Sequence, residues 1–265
     1  MIFAIERDII GERRMLMKIL SIGNSFSQDS AYYLHQTAAS VGVDIEVVNL
    51  YIGGCTLERH YQNKETNEAA YLYEKNGQSN ERYVSLQEAL DEEPWDVVTF
   101  QQQSGNSGWI DSYEPFLGLL IAYVKERAPQ AKLYLLKTWA YDDGSELAQF
   151  MRYHRSQEEM HARITAAYDT YSQKYGLPII PIGDVVHALR KTGTFTPYVG
   201  ENSISRDSFH LHYLYGRYAA ALTWLKTLTG ADATDNTYVP QTPFTEEKID
   251  PKKLQVVRET VDCIL

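Results

Sequence analysis

At 265 residues, with 44% hydrophobic and 23% charged side chains, the chain is long enough to bury a sizeable core as one large domain or two small ones. Its formal net charge of −10 argues against a general nucleic-acid binder, which needs a basic face to neutralise phosphates, and against adhesion to anionic membranes. Two cysteines, Cys55 and Cys263, stand in no metal-like spacing and leave the redox compartment open, while twenty tyrosines and four tryptophans suit carbohydrate or mixed polar and apolar ligands as well as core packing.

The opening stretch, MIFAIERDIIGERRMLMKIL, scatters charges and has no apolar core ending in small residues, so no signal peptide is recognised and a cytoplasmic location is expected. Met15 and Met17 stand just before the first apolar run, so residues 1–16 read as an N-terminal extension. No run approaches the roughly 18 apolar residues of a membrane span.

Ile19, Leu20 and Ile22 predict a buried strand, punctuated by Gly23 and Asn24, with Ser25 at its exit and a helix through Ala31–Val41. A strand, a tight turn, a serine and a helix start would put the hydroxyl at the C-terminal edge of a sheet, where open α/β sheets bind ligands. Ser25 is then a nucleophile or simply the cap of that helix. Val43–Leu50 predicts strand two, ended by YIGGCT over Tyr51–Thr56. Leu57–Leu90 is polar, Tyr-rich and reads as mostly helical, with a hairpin or loop around Asn76–Asn80.

Trp95–Phe100 predicts the third strand, left by the polar loop Gln101–Trp109, and Tyr113–Ala128 a helix. Lys132–Thr138 predicts the fourth strand with Trp139–Gly144 as its exit, and Glu146–Tyr175 a long helical stretch of one or two helices. Leu177–Ile182 predicts the fifth strand, Val185–Lys191 a short helix, Thr192–Phe209 a loop and Leu211–Thr229 an apolar helix. Residues 231–265 are expected to be a loop and a last helix, Asp250–Ile264, with Pro251 in its first turn. Five strands alternating with helices predict a doubly wound α/β class, a parallel sheet covered on both faces, in one domain over residues 1–265.

The predicted strand exits share one edge. Late in the chain comes RDSFHLH, where Asp207 and His210 lie three apart, so one turn can bring the carboxylate to the imidazole. An acid orienting a histidine that deprotonates a serine is a recurrent way to activate a weak nucleophile. Alternatively Asp207 or Ser208 caps the following helix. His210-x-His212 with Asp207 has the residue types of a metal cluster, but no further ligand is visible nearby, and neither metal nor cofactor is expected. His35, His60, His154, His161 and His187 read as lone surface or rim histidines. Asp142-Asp143-Gly144 reads as a turn first and a ligand site second.

Together, Gly23-Asn24-Ser25, Gly53-Gly54, the polar third exit and Asp207-x-x-His210 resemble the SGNH (GDSL-like) hydrolase superfamily. The strings IGNSFSQD, YIGGCTLERH, WDVVTFQQQS and DSFHLHYLYG look like a branch of it catalogued as a domain of unknown function, over about Lys18–Leu228. The resemblance implies a flavodoxin-like three-layer α/β/α sandwich and a serine esterase. Ser25 would be the nucleophile, His210 the general base and then acid, and Asp207 its orienting partner.

The oxyanion hole would use the Ser25 N–H, Gly54 (or Gly53), and a side-chain amide from the third exit. There the sequence departs from the family's G-x-N-D string, which leaves Gln102 or Gln103, with Asn106 as fallback. Asn24 likewise replaces the Asp of the GDSL string. Trp139, Tyr141 and Asn106 would line the substrate cleft, Trp139 and Tyr141 reading equally as packing residues. The expected substrate is a small acyl ester, acetyl first, on a small molecule or carbohydrate, with no nucleic-acid or membrane partner; lipid esters are less favoured. Two alternatives are a non-catalytic carbohydrate-binding module on this fold and a phosphate binder using Gly23–Ser30.

Overall fold

The computed structural model describes residues 16–265; the expected N-terminal extension lies almost wholly outside the described residues. The first strand, β1 (Met17–Gly23), is the centre of the molecule. Ile19, Leu20 and Ile22 are buried on both faces, as the continuous apolar runs of parallel sheets require. It pairs in parallel with β2 (Ile45–Tyr51) on one side and β5 (Val97–Phe100) on the other, followed by β6 (Lys132–Leu136) and β7 (Ile179–Ile180). This is the 2-1-3-4-5 order of doubly wound sheets, with the crevice for ligands at the switch point beside β1.

The sheet has seven strands, not five. A hairpin of β3 (Tyr71–Lys75) and β4 (Gln78–Val84) adds to the outer edge of β2, antiparallel to it. The helical expectation for Leu57–Leu90 therefore holds only for Leu57–Thr66 and Leu86–Glu92. Asn76 and Gly77, both at positive φ, form the two-residue turn that joins the strands, the backbone geometry Asn-Gly favours. All of β4 except Val84 faces solvent, so it carries no apolar period.

The helices α1 (Ser25–Ala31), α2 (Leu34–Ala39), α3 (Leu57–Thr66), α4 (Leu86–Glu92), α5 (Phe116–Arg127), α6 (Gln157–Tyr175), α7 (Ile182–Leu189), α8 (Tyr215–Thr229) and α9 (Pro251–Ile264) complete the three-layer sandwich. Helix α8 packs against α1, α2, α7 and α9, which is why Tyr218 to Leu222 and Trp224 are all buried and the helix has no polar face. Helices α3, α4 and α5 pack together as a separate group. Within the predicted Ala31–Val41 helix only α2 is helical along its length, α1 having begun earlier at Ser25 and ended at Ala31, and α6 begins at Gln157 rather than Glu146. Before it, Ala148–Tyr153 winds as a 3-10 segment. Asp250 caps α9, with Pro251 in its first turn as expected.

Beneath the second strand exit, His60 is not a rim residue. It is fully buried, its Nδ1 3.0 Å from the Tyr71 hydroxyl and 3.5 Å from the Cys55 sulfur. Burial, with help from the Arg59 charge, pushes its pKa down to about 3. In the unfolded chain an imidazole titrates near 6.5, so between those values the unfolded state binds the extra proton and stability falls as pH falls. From pH 7 to 5 this residue alone costs about 2 kcal/mol. Urea unfolding at both pH values should show His60→Gln losing less stability on acidification than the parent chain. Equal losses would contradict this account.

Candidate active site

Gly23 ends β1 where a Cβ would lie 2.1 Å from Ser27 Oγ, so only glycine lets the chain turn this tightly into α1. The cap of α1 is Asn24, not Ser25. Its Oδ1 accepts from the Phe26 N–H, and Ser27 Oγ accepts from the Asn24 N–H, a reciprocal capping box. Asn24 is further fixed by donating to the Cys55 carbonyl at 3.0 Å and accepting from the Gln101 amide at 2.6 Å. Capping is thus complete without Ser25, whose hydroxyl is left for other chemistry.

The Ser25 Oγ lies 2.9 Å from His210 Nε2, and His210 Nδ1 lies 2.7 Å from Asp207 Oδ2. The other Asp207 oxygen accepts from the His210 N–H at 2.8 Å, so one carboxylate holds both backbone and ring of the histidine. Burial tends to raise the Asp207 carboxyl, but the hydrogen bonds from the His210 ring and backbone outweigh it and hold it below the usual carboxylate range. The three groups make one hydrogen-bonded chain, Asp207 to His210 to Ser25.

The loop carrying Asp207 and His210 is held from beneath. Asp29, on α1 and fully buried, accepts from Arg206, Arg217 and the Leu211 N–H. Ser208 sits at φ +74 and its carbonyl accepts from the Asp142 N–H at 2.8 Å. Asp142 is therefore more than a turn residue. Its side chain is buried, paired with Arg190 and bonded by Ser203 and Ser205 of the same loop. Nothing in the sequence singles out Asp29, and Asp142 reads there as a turn first and a ligand site second.

A cavity of about 280 Å³ opens at Ser25 and His210, bordered by Gly53, Gly54, Gln103 and Tyr141. Gly54 adopts φ +61, a backbone that L side chains rarely take. Gln102 is not at this cavity. Its amide oxygen accepts from the Leu57 and Gln103 N–H groups while its nitrogen donates to Ser112, so it shapes the loop. Gln103 is at the cavity. Its oxygen accepts from the Asn106 N–H at 3.1 Å, and its Nε2 makes no hydrogen bond among the described residues.

Asn106 does not border the cavity; its side-chain oxygen accepts from Arg152. Trp139 does not line it either. It is buried behind Phe26, ring centroids 4.2 Å apart, and its indole N–H donates to the Phe209 carbonyl at 2.7 Å, next to His210. Tyr141 does border the cavity, its hydroxyl 2.8 Å from Ser104 Oγ. Tyr51, Leu147 and Gln149 also line it, and the sequence reading singled out none of them. His212 turns away to Glu247, 3.0 Å distant, and no group of three or more potential metal ligands exists among the described residues.

Residues 18–260 match the model of a family described as a domain of unknown function, DUF4886, and the chain belongs to that family. A DUF4886 protein from Bacteroides uniformis is 35% identical, with a TM-score of 0.85 over 94% of each chain. A proposed SGNH hydrolase from Slackia heliotrinireducens is 20% identical, with a TM-score of 0.55 over 81% of this chain and all of that one. The acetylxylan esterase Axe2 from Geobacillus stearothermophilus is 15% identical, with a TM-score of 0.54 over 80% of this chain and 94% of that one. The fold is that of the SGNH hydrolases. No curated protein matches the sequence.

Proposed function

We propose that this DUF4886 protein is a serine esterase that removes small acyl groups, acetyl first, from polar alcohols such as sugars. The observation that carries the reading is the hydrogen-bonded chain from Asp207 through His210 to Ser25 at the mouth of a cavity. Ser25 Oγ attacks the ester carbonyl while His210 Nε2 takes its proton, and Asp207 steadies the imidazolium that forms. The tetrahedral oxyanion is received by the N–H groups of Ser25 and Gly54 and by the free amide nitrogen of Gln103. Collapse expels the alcohol, protonated by His210, and leaves an acyl-Ser25. Water, deprotonated by the same imidazole, then releases the acid and restores the serine.

The choice of Gln103 over its neighbours follows from their bonding. Gln102 has both amide ends engaged in the loop and Asn106 is turned to Arg152. The Gln103 oxygen is pinned by the Asn106 N–H, which fixes the amide plane while its nitrogen has no partner among the described residues. The small-acyl preference rests on the modest cavity, and the carbohydrate alcohol on the acetylxylan esterase among proteins of the same fold. That last step is by analogy of fold.

Acetate release from p-nitrophenyl acetate and from acetylated xylose tests the reading. The protein should turn over both, and Gln103→Ala should lower kcat by roughly 10²–10³, the size of one lost oxyanion donor. No acetate from either substrate would overturn the esterase; an unchanged kcat in the variant would overturn the role of Gln103.

A further inference from the structure

A second cavity, of about 330 Å³, has in its wall Gln28, one helical turn along α1 from the candidate nucleophile. Two of its walls are Gln28 of α1 and Tyr32, the residue that caps the end of α1 in helical backbone geometry, at the i+3 and i+7 positions from Ser25 and so along one stripe. Neighbours on such a stripe stand roughly 5–6 Å apart at their side-chain bases. The opposite wall is the β3–β4 hairpin, with Glu74 and Ser79, and Phe244 from the C-terminal loop closes one side. The two cavities share no lining residue, yet both lie along the β2–β3 edge. Tyr51 of the first pairs with Leu72, and Glu74 of the second pairs with Asn49.

The polar groups of this cavity are incompletely satisfied. Arg217 is only 4% exposed. Asp29 engages its Nε and Nη2, and Nη1 has no partner among the described residues. The Tyr32 ring covers the guanidinium at 4.1 Å and the Phe244 ring at 5.5 Å. Glu74, 7% exposed, accepts from the Gln28 and Asn49 amides, one on each oxygen, and each oxygen keeps acceptor capacity.

A buried donor without an acceptor is costly, and a ligand that supplies one recovers that cost. The wall brings one carboxylate and one guanidinium, so an ionic ligand would meet a like charge whichever sign it carried. A neutral ring bearing neighbouring hydroxyls meets both favourably, one hydroxyl donating to Glu74 and another accepting from Arg217. Its C–H face suits an aromatic wall, and Phe244 is 54% exposed at the edge of the cavity.

We propose that this cavity is a saccharide subsite, holding the sugar ring next to the acylated one, so that the protein acts on acetylated oligosaccharides in preference to acetylated monosaccharides. The proposal rests on the esterase reading for its catalytic consequence. It does not rest on it for binding.

The test compares kcat/KM for xylotriose carrying one acetyl group, on a terminal ring, and for monoacetylated xylose in the parent chain, in Phe244→Ala, and in Ser79→Phe, which fills the cavity from an exposed position. The trisaccharide should be preferred at least tenfold, and each variant should cut that ratio at least fivefold. No length preference, or one that survives both variants, overturns the proposal. If the parent cleaves neither ester, the esterase reading falls and calorimetry on Ser25→Ala with unacetylated xylotriose decides the subsite. Saturable binding weakened at least tenfold by adding Phe244→Ala upholds it, and absence of binding overturns it.

Discussion

Replacing Ser25 by alanine should abolish ester turnover, with kcat falling about 10⁶-fold, the size of loss seen when the nucleophile of a serine triad is removed. The expectation is this large because the hydroxyl has no structural duty to confuse the result. Asn24 and Ser27 cap α1 between them, so the variant keeps its helix start and should unfold at the same urea concentration as the parent chain. His210→Ala should match it, since the serine without its base is an ordinary alcohol. Asp207→Asn should cost roughly 10⁴, because an amide cannot steady the imidazolium as a carboxylate does. The double variant Ser25→Ala, His210→Ala should be no worse than either single one, as expected for residues that act as a unit. Independent, multiplying losses would contradict the assignment.

The second large effect falls on stability rather than chemistry. Asp29 is fully buried and is the carboxylate partner of both Arg206 and Arg217. Breaking a buried ion pair by removing one partner leaves an uncompensated charge, at a cost of roughly 3–5 kcal/mol. Asp29→Asn should therefore lower unfolding stability by about that amount in urea. It should also loosen the Arg206–His212 loop, which loses its Leu211 N–H anchor along with the arginine. A change under about 1 kcal/mol would mean that water reaches these arginines and that the loop is held mainly from the Asp142 side.

Much of this molecule is legible in its sequence for a simple physical reason. Strands buried on both faces, such as Ile19–Ile22 and Val97–Phe100, must be apolar throughout, and that signal survives without any structure. The strands of the hairpin are hidden because β4 lies at the sheet edge and faces water along almost its whole length. Asn76-Gly77 nevertheless announced the turn. The segment before α6 deceived for a different reason: its apolar spacing suits a helix, but Ala148–Tyr153 winds as a 3-10 segment that puts Leu147 and Gln149 at the cavity.

In the candidate site, what is local in sequence could be read and what is long-range could not. Asp207 and His210 are three residues apart, and Ser25 directly follows the strand–turn signal. Asp29 becomes important only through Arg206 and Arg217, 177 and 188 residues further on. Three consecutive glutamines offer no period by which to tell their side chains apart. Their roles separate only through contacts with Asn24, Ser112 and Asn106. Trp139 illustrates the same limit, since an aromatic at a strand exit can face the substrate or brace the loop beside it, and here it braces Phe209.

The most direct measurement is labelling of the native protein with a fluorophosphonate, followed by mass mapping of the modified peptide. The account predicts a single phosphonylated residue, Ser25, at near-stoichiometric yield, and no label in His210→Ala. A protein that resists the reagent at Ser25 while remaining folded would contradict the claim that Asp207, His210 and Ser25 form a working catalytic chain, and would leave a carbohydrate-binding module on the same fold as the better reading.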